Sequence, residues 1–325
     1  MSNHVGRNSV AEALSSDTTF VTFAGTETFL LFLQEYPLRE FCAFEVLDNE
    51  AAWTRLKREL IRPIADACTA HGHGLITDAL VWRATPDFVE KLGYSQADLA
   101  RINQQAVAII ASFIDEWRAE SGVSASAAPA ILSAELGPRG DGYKTSDISV
   151  DAAFDYHSKQ IEVLAGTDLD LAIALTMTNV NETVGMVNAA RKHGLPIGVS
   201  PTVETDGTLP GGMKLSEFVK QVDDATDGFA AFHMVNCAHP EHLVPTLAAA
   251  KAAGEGWVDR IRGLRANASN MSHEELDNST EIDRGDVQDL ATQMGSMRSE
   301  FSMNIVGGCC GTDAEHINAI AKACS

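Results

Sequence analysis

FSMNIVGGCCG, residues 301–311, passes from apolar and β-branched residues into two glycines, two adjacent cysteines and a third glycine. A short apolar run bounded by turn residues reads as a buried strand. Seven earlier runs share this form: FVTFAG (20–25), GLITDALVW (74–82), PAILSAELG (129–137), LDLAIALTMTN (169–179), PIGVSPTV (196–203), FAAFHMVNCA (229–238) and RIRGLRANAS (260–269). Between them lie helical patterns such as AAWTRLKRELIRPIADACTAHG, FDYHSKQIEVLAG and ETVGMVNAARKHG. The last two end at Gly166 and Gly194, where a helix C-cap is expected. Strands that are apolar throughout and alternate with helices form a parallel sheet covered on both faces. Eight of them predict an α/β protein, a single-domain (β/α)8 TIM barrel over residues 1–325. A doubly wound open sheet is the alternative. Residues 1–18 are polar and are expected to form a flexible or helical N-terminal extension.

The barrel places chemistry at the C-terminal ends of its strands. Cys237 ends the sixth run, and Cys309 with Cys310 ends the eighth, so three thiols converge on one rim. Cys42, Cys68 and Cys324 read as small buried hydrophobes. Zinc binds thiolates at about 2.3 Å in a tetrahedral site, which sets the sulfurs roughly 3.8 Å apart. An extended backbone aims neighbouring side chains at opposite faces. Gly307, Gly308 and Gly311 are therefore expected to supply the backbone angles that turn both thiols toward one ion. Three sulfur ligands leave a fourth position open, as in catalytic zinc sites, and a substrate thiol placed there becomes the thiolate nucleophile. His233 lies about 13 Å before Cys237 along the strand and is expected in the barrel interior as a lower-layer core residue. HGHG (71–74) reads as a glycine-capped helix end, and His239 and His242 as a loop and helix start.

With 325 residues, 45% of them hydrophobic, the chain can bury a large core. Its net charge of −21 argues against nucleic acid or an anionic membrane as partner. No run approaches the roughly 18 apolar residues that span a bilayer, and the N-terminus lacks the apolar segment of a signal peptide. Six cysteines spread over this length fit a reducing, cytoplasmic setting. No GxGxxG follows the first strand and no GxxxxGK[ST] occurs, which weakens a nucleotide-binding reading. The polar stretch 269–286 follows the seventh strand, on the face where long barrel loops carry function.

VNCAHP (235–240) and GGCCGT (307–312) together resemble the zinc signatures of the homocysteine S-methyltransferase family. AGTET (24–28), AELGPRGDGY (134–143), YHSKQIEVLAGTDLDLA (156–172), SPTVETDGTLPGG (200–212) and GLRANAS (263–269) extend the resemblance over most of the chain. It implies Zn2+ on Cys237, Cys309 and Cys310, and methyl transfer to the thiol of homocysteine, as in methionine biosynthesis. It also implies acceptor contacts from Thr26, Glu27, Asp78, Thr176 and Asn236; Glu135, by its place at the end of the third strand, is expected to face the same site.

Three places depart from the family, the first being Thr77 and Asp78, which stand where relatives often show a threonine–asparagine pair. Val21 stands where relatives often have an aspartate. Leu175 stands where they commonly have a glutamate that helps hold the amino group of homocysteine. An apolar residue cannot replace a carboxylate facing an ammonium group. Either Asp78, Glu135 or Glu27 takes over that task, or the acceptor is a different small thiol. The expected donor is a small onium compound (S-methylmethionine, betaine or similar), with Trp82 and Tyr143 offering aromatic faces to the cation. The partners expected are thus a small-molecule thiol acceptor and an onium methyl donor, with no nucleic acid and no membrane; a homo-oligomer stays open. The alternatives are a zinc-dependent demethylase or methyltransferase using another thiol, and a non-enzymatic redox sensor built on the vicinal cysteines.

Overall fold

A computed structural model describes residues 3–325. Its parallel strand segments are β1 (Phe20–Val21), β2 (Gly74–Ile76), β3 (Ala130–Ile131), β4 (Ser133–Leu136), β5 (Leu171–Met177), β6 (Ile197–Pro201), β7 (His233–Ala238), β8 (Ile261–Ala266) and β9 (Ile305–Gly308). They lie in the order β3-β2-β1-β9-β8-β7-β6-β5-β4. The two ends of this order are halves of one run, since β3 pairs with β2 and β4 with β5. At the join, the Leu132 carbonyl accepts from the Asp170 amide at 2.9 Å and the Ser133 carbonyl from the Ala79 amide at 3.0 Å. The sheet therefore closes on itself as a (β/α)8 TIM barrel. The expected third strand, 129–137, is interrupted only where its hydrogen bonds change partner.

The helices Arg62–His71, Asp98–Ser121, Val150–Ala165, Val180–His193, Leu215–Thr226, Pro240–Ala252, Val287–Phe301 and Ala314–Ala323 follow the strands in turn. Side-chain caps fix several starts: Ser149 accepts from the Ala152 amide and Asn179 from the Glu182 amide. Gly194 ends its helix in the left-handed conformation, whereas Gly166 does so with an ordinary φ of −79°. His71 closes its helix before the left-handed Gly72, as the glycine-capped reading expects.

The period of two along each strand divides the core. Leu75, Leu132, Ala134, Leu136 and Val306 pack against the helices, while Phe20, Ile76, Ile131, Ile173, Met234 and Ile305 fill the barrel. Each buried Val, Leu, Ile, Phe or Met among them contributes about 1.5–3 kcal/mol relative to exposure. The N-terminal segment closes the lower end. Helix Val10–Ser15 sets Val10 and Leu14 against the interior cluster, and Asn304 Nδ2 donates to the Leu14 carbonyl at 2.6 Å. Arg7 anchors the approach by donating to the carbonyls of Ala165, Thr167 and Leu169 at 3.0–3.2 Å. Among the described residues, no helix is long and apolar enough to cross a membrane.

His233 corrects the sequence reading. Phe232 and Met234 take the inward positions, so His233 faces the helix layer, with Nε2 2.9 Å from Asp223 Oδ1 and its ring edge-on to Phe218. Val21 likewise packs in the outer layer, so its departure from the family pattern removes no group from the barrel interior. Leu175 does face inward, in the cluster that also packs Trp82.

Candidate metal centre

The sulfurs of Cys237, Cys309 and Cys310 lie within 4.8 Å of one another, the single such cluster of potential metal ligands among the described residues. Strand parity alone would send Cys237, two residues beyond Val235, into the helix layer. A left-handed backbone at Cys237 (φ 54°) and a register shift between Asn236 and Ala238 turn it into the barrel mouth. The same device bends β5, where Thr176 has φ 60° and the register shifts between Leu175 and Met177. Asn236 ties the two bends together. Its Oδ1 accepts from the Thr176 amide at 2.8 Å and from Ser200 Oγ at 2.7 Å, while Nδ2 donates to Thr176 Oγ1 at 2.9 Å and to Cys237 Sγ at 3.2 Å.

The glycines beside the cysteines work in two ways, and only one was expected. Gly311 has φ 80°, as a turn requires. Gly307 and Gly308 are ordinary strand residues, and what they provide is space: a Cβ on Gly307 would overlap Thr22 Oγ1, and one on Gly308 would overlap Thr312 Oγ1. The turn begins at Cys309, whose amide donates to the Ala266 carbonyl at 2.7 Å and whose carbonyl accepts from Thr312 Oγ1 at 2.7 Å. Leaving the extended conformation there brings the Cys310 sulfur back beside its neighbour.

Hydrogen bonds from Cys309 and Cys310, joined by Tyr143 and Asn236, hold the Cys237 thiol well below its ordinary range. The same contacts with Cys237 push Cys309 up to about 12 and raise Cys310. The cluster thus gathers negative charge on one sulfur and holds two protons against it, protons that a thiophilic divalent cation displaces. The donor set fits such an ion.

A second polar cluster lies in the mouth. Arg265, from β8, is 3% exposed, with Nη1 2.9 Å from Glu135 Oε1, Nη2 3.0 Å from Asp78 Oδ2, and Nε donating to the Gly308 carbonyl at 3.3 Å. Asp78 is fully buried, and neither of its oxygens has an aligned hydrogen-bond donor. Burial, against the pull of Arg265 and with the push of Glu135, raises Asp78 well above the carboxylate range. Burial first and the Glu135 charge second push Glu27 up to about 8. Thr26 is buried at the start of the short helix Thr26–Thr28. The structure thus brings Asp78, Glu135, Glu27, Thr176 and Asn236 to the mouth, around an arginine that the sequence reading missed.

A cavity of about 390 Å3 opens onto Cys310. Phe32, Phe41, Tyr143, Asp277, Glu281 and Asp283 are among its walls, so stretch 269–286 forms much of one side. Tyr143 stacks on His273 with ring centroids 4.6 Å apart. His273 Nε2 lies 2.7 Å from the Cys237 carbonyl and Nδ1 3.2 Å from Glu204 Oε1, pinning the stretch to the metal centre. Trp82, the other aromatic candidate, does not line this cavity; it packs with the barrel interior.

The model of the family described as homocysteine S-methyltransferase matches residues 31–324. The chain belongs to that family. No curated protein matches it. Among solved structures it is similar to the homocysteine methyltransferase MmuM from Escherichia coli. The metallated form of MmuM gives a TM-score of 0.73 at 17% identity, covering 98% of this chain and 99% of that one. The oxidised form gives a TM-score of 0.72, also at 17% identity and with the same coverage. The apo form gives 0.66 at 17% identity, over 97% of this chain and 99% of that one. At this identity the likeness speaks for the barrel, and family membership makes the chain a methyltransferase of small molecules.

Proposed function

We propose that the chain is a zinc-dependent S-methyltransferase that moves a methyl group from a small onium donor to the thiol of homocysteine. The observation that carries this reading is the convergence of Cys237, Cys309 and Cys310 at the ends of β7 and β9. Zinc held by these three sulfurs would lower the pKa of an acceptor thiol, so that its thiolate exists near neutral pH.

The chain's own residues supply the rest. Asn236 donates to Cys237 and fixes its direction. The carboxyl groups of Glu27, Asp78 and Glu135 offer acceptor oxygens to the ammonium group of an amino-acid thiol, with Thr26 and Thr176 beside them. The cavity over Cys310 combines Phe32, Phe41 and Tyr143 with Asp277, Glu281 and Asp283. Aromatic faces and carboxylates both attract a positively charged, poorly hydrated donor such as S-methylmethionine or betaine. In the transfer, the carbon–onium bond breaks as the carbon–sulfur bond forms. The leaving group keeps the electron pair, and the thiol proton passes to solvent. The test is a screen of onium donors with homocysteine, scored by mass spectrometry for methionine; no product from any donor would remove the reading.

Leu175 favours a second reading, in which the acceptor is another small thiol. Calorimetric titration of the zinc-loaded protein with homocysteine and other thiols separates the two. Tight binding of homocysteine would eliminate the second.

A further inference from the structure

We propose that the methyl donor is an onium compound with an apolar body and no carboxylate, gripped by Phe41 and the other apolar walls of the cavity over Cys310. The inference rests on the methyltransferase reading and narrows its donor. S-methylmethionine and betaine bring the onium charge, but each also carries a carboxylate and little apolar surface.

Among the described residues, the exposed large apolar side chains are Leu33 (39%) and Phe41 (46%). Both lie on the segment between β1 and β2, which walls the cavity with Leu31, Phe32 and Phe41. The backbone puts Phe41 there. Glu40 and Phe41 have φ of 51° and 55°, two successive residues in a conformation that bulky side chains avoid. Contacts from outside the cavity hold this turn. The Glu40 carbonyl accepts from Arg83 Nη1 at 2.6 Å, and the Glu40 carboxylate meets Lys91 Nζ at 2.6 Å. The Arg83 guanidinium sits 5.8 Å from the Phe41 ring centroid. Strained backbone kept in place by its neighbours is characteristic of ligand clamps.

Leu276 and Ile282, from stretch 269–286, add two more apolar walls. The volume of about 390 Å3 falls in the range of about 300–1,000 Å3 that takes drug-sized ligands. A donor of betaine's size leaves much of this apolar wall uncovered. Charge points the same way. Asp277, Glu281 and Asp283 line the cavity, and no lysine or arginine is among its described walls. Nearby cations are engaged elsewhere: Arg284 with Asp313 and Glu315, Lys144 with Asp141, and Arg83 on the Phe41 turn. An onium charge is stabilised there, whereas a carboxylate on the same molecule meets like charge.

Two matched pairs of sulfonium donors test this on the zinc-loaded wild-type protein with homocysteine, scored as kcat/KM for methionine. Hexyldimethylsulfonium against trimethylsulfonium isolates the apolar body. The amide 3-(dimethylsulfonio)propanamide against the acid 3-(dimethylsulfonio)propanoate isolates the carboxylate. In each transfer the S–CH3 bond breaks and its electron pair stays on the donor sulfur, leaving a thioether. The homocysteine sulfur forms the new S–CH3 bond, and its proton passes to solvent. The hexyl donor is expected to exceed trimethylsulfonium about 50-fold or more, since each buried CH2 is worth about fourfold. The amide should exceed the acid about fivefold or more. Equal rates within either pair would overturn the proposal, as would a preference for the acid, which would mean that a cation such as Arg83 receives the carboxylate. No methionine from any of the four would remove the methyltransferase reading instead. Phe41→Ala should cut the hexyl-over-trimethyl ratio about tenfold at unchanged zinc content. An unchanged ratio in the zinc-loaded variant would count against the proposal.

Discussion

The lower and upper halves of the barrel interior follow the same inward positions and fill them with opposite chemistry. Below, Phe20, Ile76, Ile131, Ile173, Met234 and Ile305 pack together, and Val10 with Leu14 closes the end. Above, Arg265, Asp78, Glu135 and Asn236 take the inward places beside three thiols. The backbone divides in the same way. Thr176 and Cys237, at the upper ends of β5 and β7, have φ of 60° and 54°, a conformation disfavoured for any residue but glycine. No strand residue in the lower half does so. Stability is drawn from the lower layers, which lets the upper rim hold strained backbone and poorly matched charge where chemistry needs them.

Substitutions in the two halves should therefore fail differently. The largest effect is expected from Cys237→Ser, which removes one of the three sulfurs. Zinc content should fall from about one equivalent to about a tenth, with turnover down at least about 1000-fold, while the metal-free protein melts as the wild type does. Metal analysis and calorimetry check this; retained zinc would mean the cluster is not the ligand set, whereas a redox sensor built on Cys309 and Cys310 would keep its thiol oxidation in the variant.

Phe20→Ala should do the reverse. It opens a cavity in the lower layers and costs about 3–5 kcal/mol of stability, read from denaturant midpoints, while the folded fraction binds zinc normally. Loss of zinc affinity in the folded protein would show that the halves are not independent. Asn236→Ala sits at the boundary of these effects. It deletes the hydrogen bond to Cys237 and those to Thr176 and Ser200. Zinc affinity should drop about 10- to 100-fold, measured by chelator competition, and an unaltered affinity would assign the amide a purely structural part.

The smallest effect concerns Asp223 on the outer layer. Burial raises its pKa, but hydrogen bonds from His233 and Arg260 outweigh it and bring Asp223 down to about 2. Burial lowers His233, so near neutrality the bidentate Arg260 is the cation that holds Asp223. A folded pKa below the ordinary value of 3.8 means a contribution present above about pH 4 and lost as pH falls toward 2. With solvent screening it amounts to about 1 kcal/mol, and Asp223→Asn should erase this pH dependence in urea titrations between pH 2 and 5.

Fold and metal cluster were legible for definite reasons. Eight β-branched runs separated by helical periods leave few topologies, and three cysteines at strand ends fall on one rim once the barrel closes. Other features had no local signal. Arg265 is one of three arginines in a single strand run, and its partner Glu135 is 130 residues away in sequence. The outward turn of His233 was misread because parity was carried back from Cys237 across a bulge that no residue type announces. Gly307 and Gly308 were assigned unusual angles when their neighbours needed their missing side chains. Glycine serves both purposes, and only contacts tell them apart.

The closed floor beneath Phe20 and Ile305 also sets the traffic of the reaction. With Val10 and Leu14 seated there, everything that reaches Asp78 and Glu135 arrives through the mouth, past the cavity walled by Tyr143 and Asp283. A molecule lodged in that cavity would stand in the path to Asp78 and Glu135. If the donor is held in that cavity as proposed, initial-rate kinetics should show the acceptor binding first and the methylated product leaving last.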